Sequence, residues 1–210
     1  MSISEPETFN APEENEFNKK KFFSNWPPFL IFLFDFIKLV VLAFIIVWPI
    51  HYFVFQPFYV VGPSMEPNFY NQEYLIIEKI NYRFNDPQRG EVIIFRSPTN
   101  HKDYLIKRII ALPQERVVMK GGTIYIYNDS FPQGLTLDEE KYLFPGTTTL
   151  GDIDIELSSD QYYVLGDNRN MSLDSRVFGP VKQEDITGRA WFKGWPFKNM
   201  GLIKMPIFTY

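Results

Sequence analysis

Residues 104–112 read YLIKRIIAL, the most apolar of the strand-like stretches in the chain. Branched and aromatic side chains of this kind are typical of strands that lie on a buried surface. Because side chains alternate between the two faces of a strand, Lys107 shares its face with Leu105 and Ile109. Arg108 lies on the opposite face. The stretch therefore predicts a β-strand that carries a lysine among apolar side chains.

Further strand patterns lie on both sides of this stretch. Single strands are predicted at Phe58–Val61, Glu73–Lys79, Glu91–Phe95, Gln161–Leu165 and Gly188–Phe192. A hairpin is predicted from Arg116–Met119 and Thr123–Tyr127 around Gly121-Gly122. Residues 128–152 are rich in turn formers and carry no strand prediction. Many short strands without alternating helices indicate a mainly β fold, either a sandwich or a barrel.

The N-terminal quarter differs from the rest in composition. Residues 1–28 are largely polar and predict a disordered tail. Residues 29–55 are mostly apolar, and the part from Leu39 onward predicts a helix of roughly 25 Å, just enough to span a bilayer core. Asp35 and Lys38 are placed to pair on one face of that helix. We therefore expect a tail at 1–28, a transmembrane anchor at 29–55 and a β-domain at 56–210.

A cleaved signal peptide is the alternative interpretation of residues 29–55. Such peptides have a short apolar core and a small-x-small cleavage site. This stretch is longer, ends in bulky aromatic residues and lacks such a site, so a retained anchor is favoured. The lysines Lys19–Lys21 precede it, which predicts a single-pass protein with its tail in the cytoplasm. The β-domain would then lie on the outer or periplasmic side of the cell membrane.

The overall composition excludes several kinds of site. The net charge is −4, which indicates no broad basic surface for nucleic acid. The chain has no cysteine, which rules out a thiol nucleophile, a disulfide framework and a cysteine-ligated zinc. The histidines are His51 and His101 only, so a Ser-His-Asp triad would have to use one of them.

The stretch Val61–Pro67, VGPSMEP, sets one serine in a constrained turn. Pro63 and Pro67 fix φ and remove backbone donors, and Gly62 permits a close approach of another backbone. Such a turn is suited to presenting the Ser64 hydroxyl to a ligand. A tight turn with an incidental serine remains the alternative on this stretch alone.

Lys107 is the second candidate for chemistry because it falls inside an apolar strand. Burial disfavours the charged form and lowers the pKa of a lysine, and a neutral amine can then accept a proton from a serine. The alternative is a lysine near the surface that extends its amine into solvent.

Residues 166–176, GDNRNMSLDSR, are too rich in turn formers to be a strand. Asp174 and Arg176 are placed to form an ion pair, and Ser172 can donate a hydrogen bond to an amine. The alternatives are a solvated loop and a site for a divalent ion. The spacing does not match a calcium loop, so no metal is predicted.

In their order along the chain, these stretches resemble a type I signal peptidase, a membrane-bound serine protease that removes signal peptides from exported proteins. The resemblance covers the chain from about Asp35 to its end. It is carried by five stretches behind an anchor: 62–67, 74–79, 89–92, 106–113 and 166–176. It implies two antiparallel β-sheets, a signal-peptidase-like sandwich.

The resemblance also implies roles for individual residues. Ser64 would be the nucleophile that forms an acyl-enzyme, and Lys107 would be the general base. Ser172 would orient the lysine, and Asp174 with Arg176 would brace the site. The residues implied to line the substrate groove are Val60, Gly62, Met65 and Ile106.

The implied partners are the lipid bilayer and the signal peptides of preproteins, which are cut after Ala-x-Ala-like motifs. No cofactor, metal or nucleic acid is implied. Two positions depart from the family pattern. Asn170-Met171 stand where Asp-Asn is common, and Gly62 stands where some members have a serine that helps to form the oxyanion hole. The hole is then expected to rest mainly on the backbone N–H of Ser64.

Two other functions stay open on the sequence. One is a related Ser-Lys protease that cleaves itself or a regulator, although such proteins normally carry a DNA-binding module and this chain has an anchor instead. The other is a non-enzymatic, membrane-tethered β-domain that binds peptides or envelope partners.

Overall fold

A computed structural model describes residues 27–53, 55–206 and 208. It has two compact units, one that ends at Pro49 and one that begins at Ile50. The predicted tail at 1–28, with Lys19–Lys21, lies almost entirely outside the described residues.

Helix α1 spans Pro28–Phe53. Its 22-residue part Pro28–Pro49 is apolar and long enough to cross a membrane, about 33 Å at 1.5 Å per residue. No side chain of this part is buried inside the protein, so its apolar surface lacks a protein covering in the described part of the chain. The predicted pair forms, with 3.2 Å between Lys38 Nζ and Asp35 Oδ1. The predicted N-terminal apolar helix is confirmed as a candidate membrane span.

Eight strands form the larger of two antiparallel sheets. They are β1 (Phe55–Tyr59), β2 (Tyr74–Glu78), β3 (Val92–Arg96), β4 (Tyr104–Ala111), β9 (Gln161–Leu165), β10 (Val181–Lys182), β11 (Ile186–Trp195) and β12 (Gly201–Leu202). Their order in the sheet is β1-β2-β11-β3-β4-β9-β10, and β12 pairs with β11. The apolar stretch at 104–112 therefore contains β4. This strand lies well inside the sheet, between β3 and β9.

The smaller sheet has the order β7-β6-β5-β8. Its strands are β5 (Arg116–Lys120), β6 (Thr123–Asn128), β7 (Phe131–Thr136) and β8 (Ile153–Glu156). The predicted hairpin is β5–β6, and its turn glycines have φ of 59° and 84°. Strands β7 and β8 were not predicted. Proline and glycine are depleted in strands, and β7 contains Pro132 and Gly134 at a sheet edge, where they are tolerated.

Buried side chains cover both faces of the larger sheet. Alternate residues of β3 enter different clusters: Ile93 packs with Ile109, and Ile94 packs with Met65. A further cluster joins the smaller sheet to β4 and β9; it includes Ile110, Val117, Ile124, Ile126 and Leu165. The predicted mainly β, antiparallel fold with one N-terminal helix is confirmed.

Candidate active site

The predicted serine lies in a turn that leaves β1 and returns to β2. Two backbone hydrogen bonds close the base of this turn. The N–H of Val60 donates to Glu73 O at 2.9 Å, and the N–H of Gln72 donates to Val60 O at 3.0 Å. Met65 is fully buried and anchors the turn in the core. The turn therefore holds Ser64 at a fixed place above the larger sheet.

Lys107 projects from β4 to this serine. Its Nζ lies 2.9 Å from Ser64 Oγ and 2.7 Å from the Ile106 carbonyl oxygen. The residue is 3% exposed, which excludes a lysine that extends into solvent. Burial lowers the pKa of Lys107 to about 8, against the opposing charges of Asp174 and Asp167. The shift has the predicted direction.

A cavity of about 130 Å³ opens beside the serine and the lysine. Val60 and Ile106, two of the four residues predicted for the substrate groove, lie in its wall with Ser64 and Lys107. Met65 instead packs in the core next to Val60. The wall of this cavity is mostly apolar, so it suits an apolar side chain of a ligand.

Gly62 has a backbone conformation that favours glycine, with φ of 90°. Its N–H donates to Asn71 Oδ1 at 3.0 Å, so this amide is already occupied. The N–H of Ser64 makes no hydrogen bond to any described residue. Of these two amides, only that of Ser64 lacks a hydrogen bond to a described residue, and its expected role in an oxyanion hole stays a prediction.

Residues 166–176, the polar loop, contact the serine turn. Asp174 accepts hydrogen bonds from Arg176 Nε at 2.8 Å and from the N–H of Gly166 at 3.0 Å. Burial raises the pKa of Asp174, but these bonds outweigh burial and hold it below its ordinary value. The predicted ion pair between Asp174 and Arg176 is confirmed. Asp174 also caps the short helix α2 (Ser175–Phe178).

Ser172 is close to the serine turn but does not bond to Lys107. Its Oγ is buried and has no hydrogen-bond partner among the described residues. The hydroxyl still helps to lower the pKa of Asp174, although its geometry falls short of a hydrogen bond. Its predicted role in orienting Lys107 stays a prediction.

Gly166 separates Ser172 from the serine turn. A Cβ at this position would lie 2.1 Å from Ser172 Oγ and 2.5 Å from Ser64 O. No side chain fits there, because the second contact is with backbone.

A buried ion pair close to Ser64 was not predicted from the sequence. Arg108 binds Asp167 through two bonds, Nε–Oδ1 at 2.8 Å and Nη2–Oδ2 at 2.7 Å. The next residue, Asn168, donates its N–H to Ser64 O at 3.0 Å. The sequence did carry a signal for this pair. Arg108 lies in the middle of an apolar strand, and a buried arginine requires an acidic partner.

No group of three or more histidine, cysteine, aspartate or glutamate residues within 27–53, 55–206 and 208 is placed to hold a metal ion.

Comparison with known proteins gives one consistent result. The family model described as signal peptidase, peptidase S26, matches residues 33–195. The probable signal peptidase I-2 of Synechocystis sp. is 40% identical over 172 residues, which cover 79% of this chain and 75% of that protein. Signal peptidase I of Leptolyngbya laminosa is 34% identical over 182 residues, 83% of this chain and 85% of that protein.

Two further matches have either a lower identity or a lower coverage of this chain than the two proteins above. Signal peptidase IB of Staphylococcus aureus is 29% identical over 180 residues, which are 80% of this chain and 92% of that protein. A crystal structure of signal peptidase I from Enterococcus faecalis aligns with 50% of this chain and 97% of its own, at 32% identity and a TM-score of 0.41.

Proposed function

Because the chain belongs to the signal peptidase family, peptidase S26, and is a serine peptidase of the signal peptidase I type, we propose that it cleaves signal peptides with Ser64 as nucleophile and Lys107 as general base. The observation that carries this proposal is the 2.9 Å between Lys107 Nζ and Ser64 Oγ at a buried site. The lowered pKa of Lys107 supports it, because a base must be unprotonated to act.

The proposed reaction proceeds through an acyl-enzyme. Neutral Lys107 takes the proton of Ser64 as Oγ attacks the scissile carbonyl, whose developing oxyanion faces the N–H of Ser64. The resulting ammonium protonates the departing amine, and the carbonyl carbon remains bonded to Oγ. Lys107, neutral again, then removes a proton from water as the water oxygen attacks the ester carbonyl. The Lys107 ammonium returns this proton to Oγ as the acyl–Oγ bond breaks, which releases the acid product and restores the Ser64 hydroxyl.

The proposed substrate is an exported preprotein that binds in an extended conformation. An extended peptide can add along a strand, with alternate side chains entering pockets. The cavity of about 130 Å³ beside Ser64 gives such a peptide a pocket next to the proposed nucleophile. Cleavage after Ala-x-Ala-like motifs is proposed from the family to which the chain belongs. No cofactor takes part in this scheme.

The proposed topology is a single pass through the cell membrane. The tail at 1–28 would lie in the cytoplasm, the segment at 29–55 would cross the bilayer, and residues 56–210 would act on the outer side. The apolar helix Pro28–Pro49 supports the crossing, and Lys19–Lys21 in the sequence support the direction.

The test is cleavage of a purified preprotein by wild-type enzyme, Ser64→Ala and Ser158→Ala. Ser158 is an exposed serine outside the site and serves as the matched control. We expect Ser64→Ala to lose at least about a thousandfold in rate with an unchanged circular dichroism spectrum, and Ser158→Ala to match the wild type. Cleavage by folded Ser64→Ala at the wild-type rate would end the proposal.

A further inference from the structure

The Ser64 turn lies outside the regular strands, and side-chain contacts add to the backbone hydrogen bonds that hold it in place. The side-chain amide of Asn68, on the same turn, donates to Asp167 Oδ2 at 2.8 Å and to Tyr142 O at 2.6 Å. The polar loop supplies the first acceptor. The second comes from residues 138–149, the bracing segment, which connects β7 to β8 and belongs to none of the stretches that carry the family resemblance.

Glu139 of the bracing segment binds the polar loop directly. Its carboxylate accepts two hydrogen bonds from Arg169, Nη1–Oε2 at 2.7 Å and Nη2–Oε1 at 2.5 Å. Arg169 also donates to Thr149 Oγ1 and, from Nε at 3.1 Å, to the carbonyl oxygen of Gly166. The Arg169 side chain is 0% exposed, and that of Glu139 is 11% exposed. The pair is therefore a buried link between the bracing segment and the glycine that touches the serine turn.

Tyr142 provides a second link from the same segment. Its hydroxyl donates to Glu139 Oε1 at 2.5 Å. Its ring lies beneath the Arg108 guanidinium, 4.5 Å from centroid to carbon, and Arg108 holds Asp167. One tyrosine thus contacts the serine turn through its carbonyl, β4 through its ring, and Glu139 through its hydroxyl.

We propose that Glu139 and Tyr142 are positioning residues of the peptidase, which hold the serine turn and the polar loop where Ser64 Oγ meets Lys107 Nζ. The inference rests on the proposed function. Neither residue lines the cavity at Ser64, so both act through other groups. Without the carboxylate, Arg169 would be a buried charge that lacks its partner, and the loop must shift to solvate it. A displacement of about 1 Å can cost on the order of a hundredfold in rate.

The primary variant is Glu139→Gln, which keeps the size of the side chain and removes its charge. The matched control is Glu140→Gln, because Glu140 is the adjacent carboxylate and is exposed. For Glu139→Gln we expect kcat on a preprotein to fall roughly ten- to a hundredfold. KM should stay within about twofold, since the groove residues are untouched, and Glu140→Gln should match the wild type in both constants.

The pH dependence separates positioning from a merely structural role. The charged groups that face Lys107 are Asp167 and Asp174, but burial is the largest influence on its pKa. A polar loop loosened by Glu139→Gln would admit water to Lys107 and so raise the pKa of its amine. The rising limb, which is the pH range over which kcat/KM increases, should therefore move to higher pH in Glu139→Gln and stay in place in Glu140→Gln. A merely structural role would lower the melting temperature and leave kcat per folded molecule and the limb unchanged.

Tyr142→Phe keeps the test decisive if Glu139→Gln does not fold. It removes one oxygen and retains the ring and the backbone carbonyl, and we expect kcat to fall about three- to tenfold. Folded variants of both kinds with wild-type kcat and an unmoved limb would overturn the inference and leave the proposed function standing. An inactive wild type, or an active Ser64→Ala in the same assay, would instead overturn the proposed function and the inference with it.

Discussion

The Lys107 amine lies in surroundings that favour its neutral form. Its hydrogen-bond acceptors are a hydroxyl and a carbonyl, not a carboxylate, and the residue is 3% exposed. The nearby carboxylates of Asp167 and Asp174 are each bound by an arginine, which limits what they can do for an ammonium ion. Desolvation therefore dominates, and the pKa of Lys107 falls to about 8.

The pH dependence of the wild type follows from this pKa. Below it the lysine is protonated and cannot accept the Ser64 proton; above it the base is free. We expect kcat/KM for preprotein cleavage to rise with pH through about 8 and to level off above that value. A profile measured from pH 6 to 10, with circular dichroism at each end, checks this. A limb near pH 10.4, the ordinary value for lysine, would mean that the amine is not desolvated.

At the scale of the elements, propensity and burial agree in some strands and conflict in others. Strand β4 was predicted at 104–112 and spans Tyr104–Ala111, because an uninterrupted apolar run inside a sheet leaves little choice. Strand β7 was missed because Pro132 and Gly134 oppose a strand, and only pairing with β6 holds it there. Strand β8 was missed because its four residues are too few for a pattern.

The polar loop meets the serine turn at Gly166, which gives a prediction at this scale. For Gly166→Ala we expect a loss of about a hundredfold or more in kcat, because the new Cβ would lie 2.5 Å from the Ser64 carbonyl oxygen and push the two elements apart. The matched control is Gly194→Ala, whose Cβ would meet its nearest neighbour at 3.7 Å. Preprotein cleavage by the two variants measures the difference, and equal activity would show that this contact is not needed.

At the scale of the whole molecule, the candidate site joins parts of the chain that are far apart in sequence. Ser64 and Lys107 were predicted from a constrained turn, an apolar strand and a family resemblance. The contacts of Glu139 with Arg169 and of Asn68 with Tyr142 span 30 and 74 residues. No local pattern encodes such pairings, because they depend on how the two sheets pack. The buried support of the site could therefore be found only in the structure.

The membrane topology is testable because the chain has no cysteine. In otherwise native protein, Ser158→Cys should react with a membrane-impermeant maleimide added outside intact cells, since Ser158 is an exposed residue of the β-domain. Ser4→Cys, in the tail, should react only after the membrane is permeabilised. The reverse pattern of labelling would invert the proposed orientation.

The measurement that tests the central claim most directly is preprotein cleavage by Lys107→Arg and Lys107→Met beside the wild type. Arginine keeps the positive charge but cannot deprotonate in a protein, so it cannot serve as the base. The account predicts that both variants lose at least about a thousandfold in kcat/KM at every pH from 6 to 10, with folding confirmed by circular dichroism. Near-wild-type cleavage by Lys107→Arg would contradict it, because Lys107 would then not be the general base.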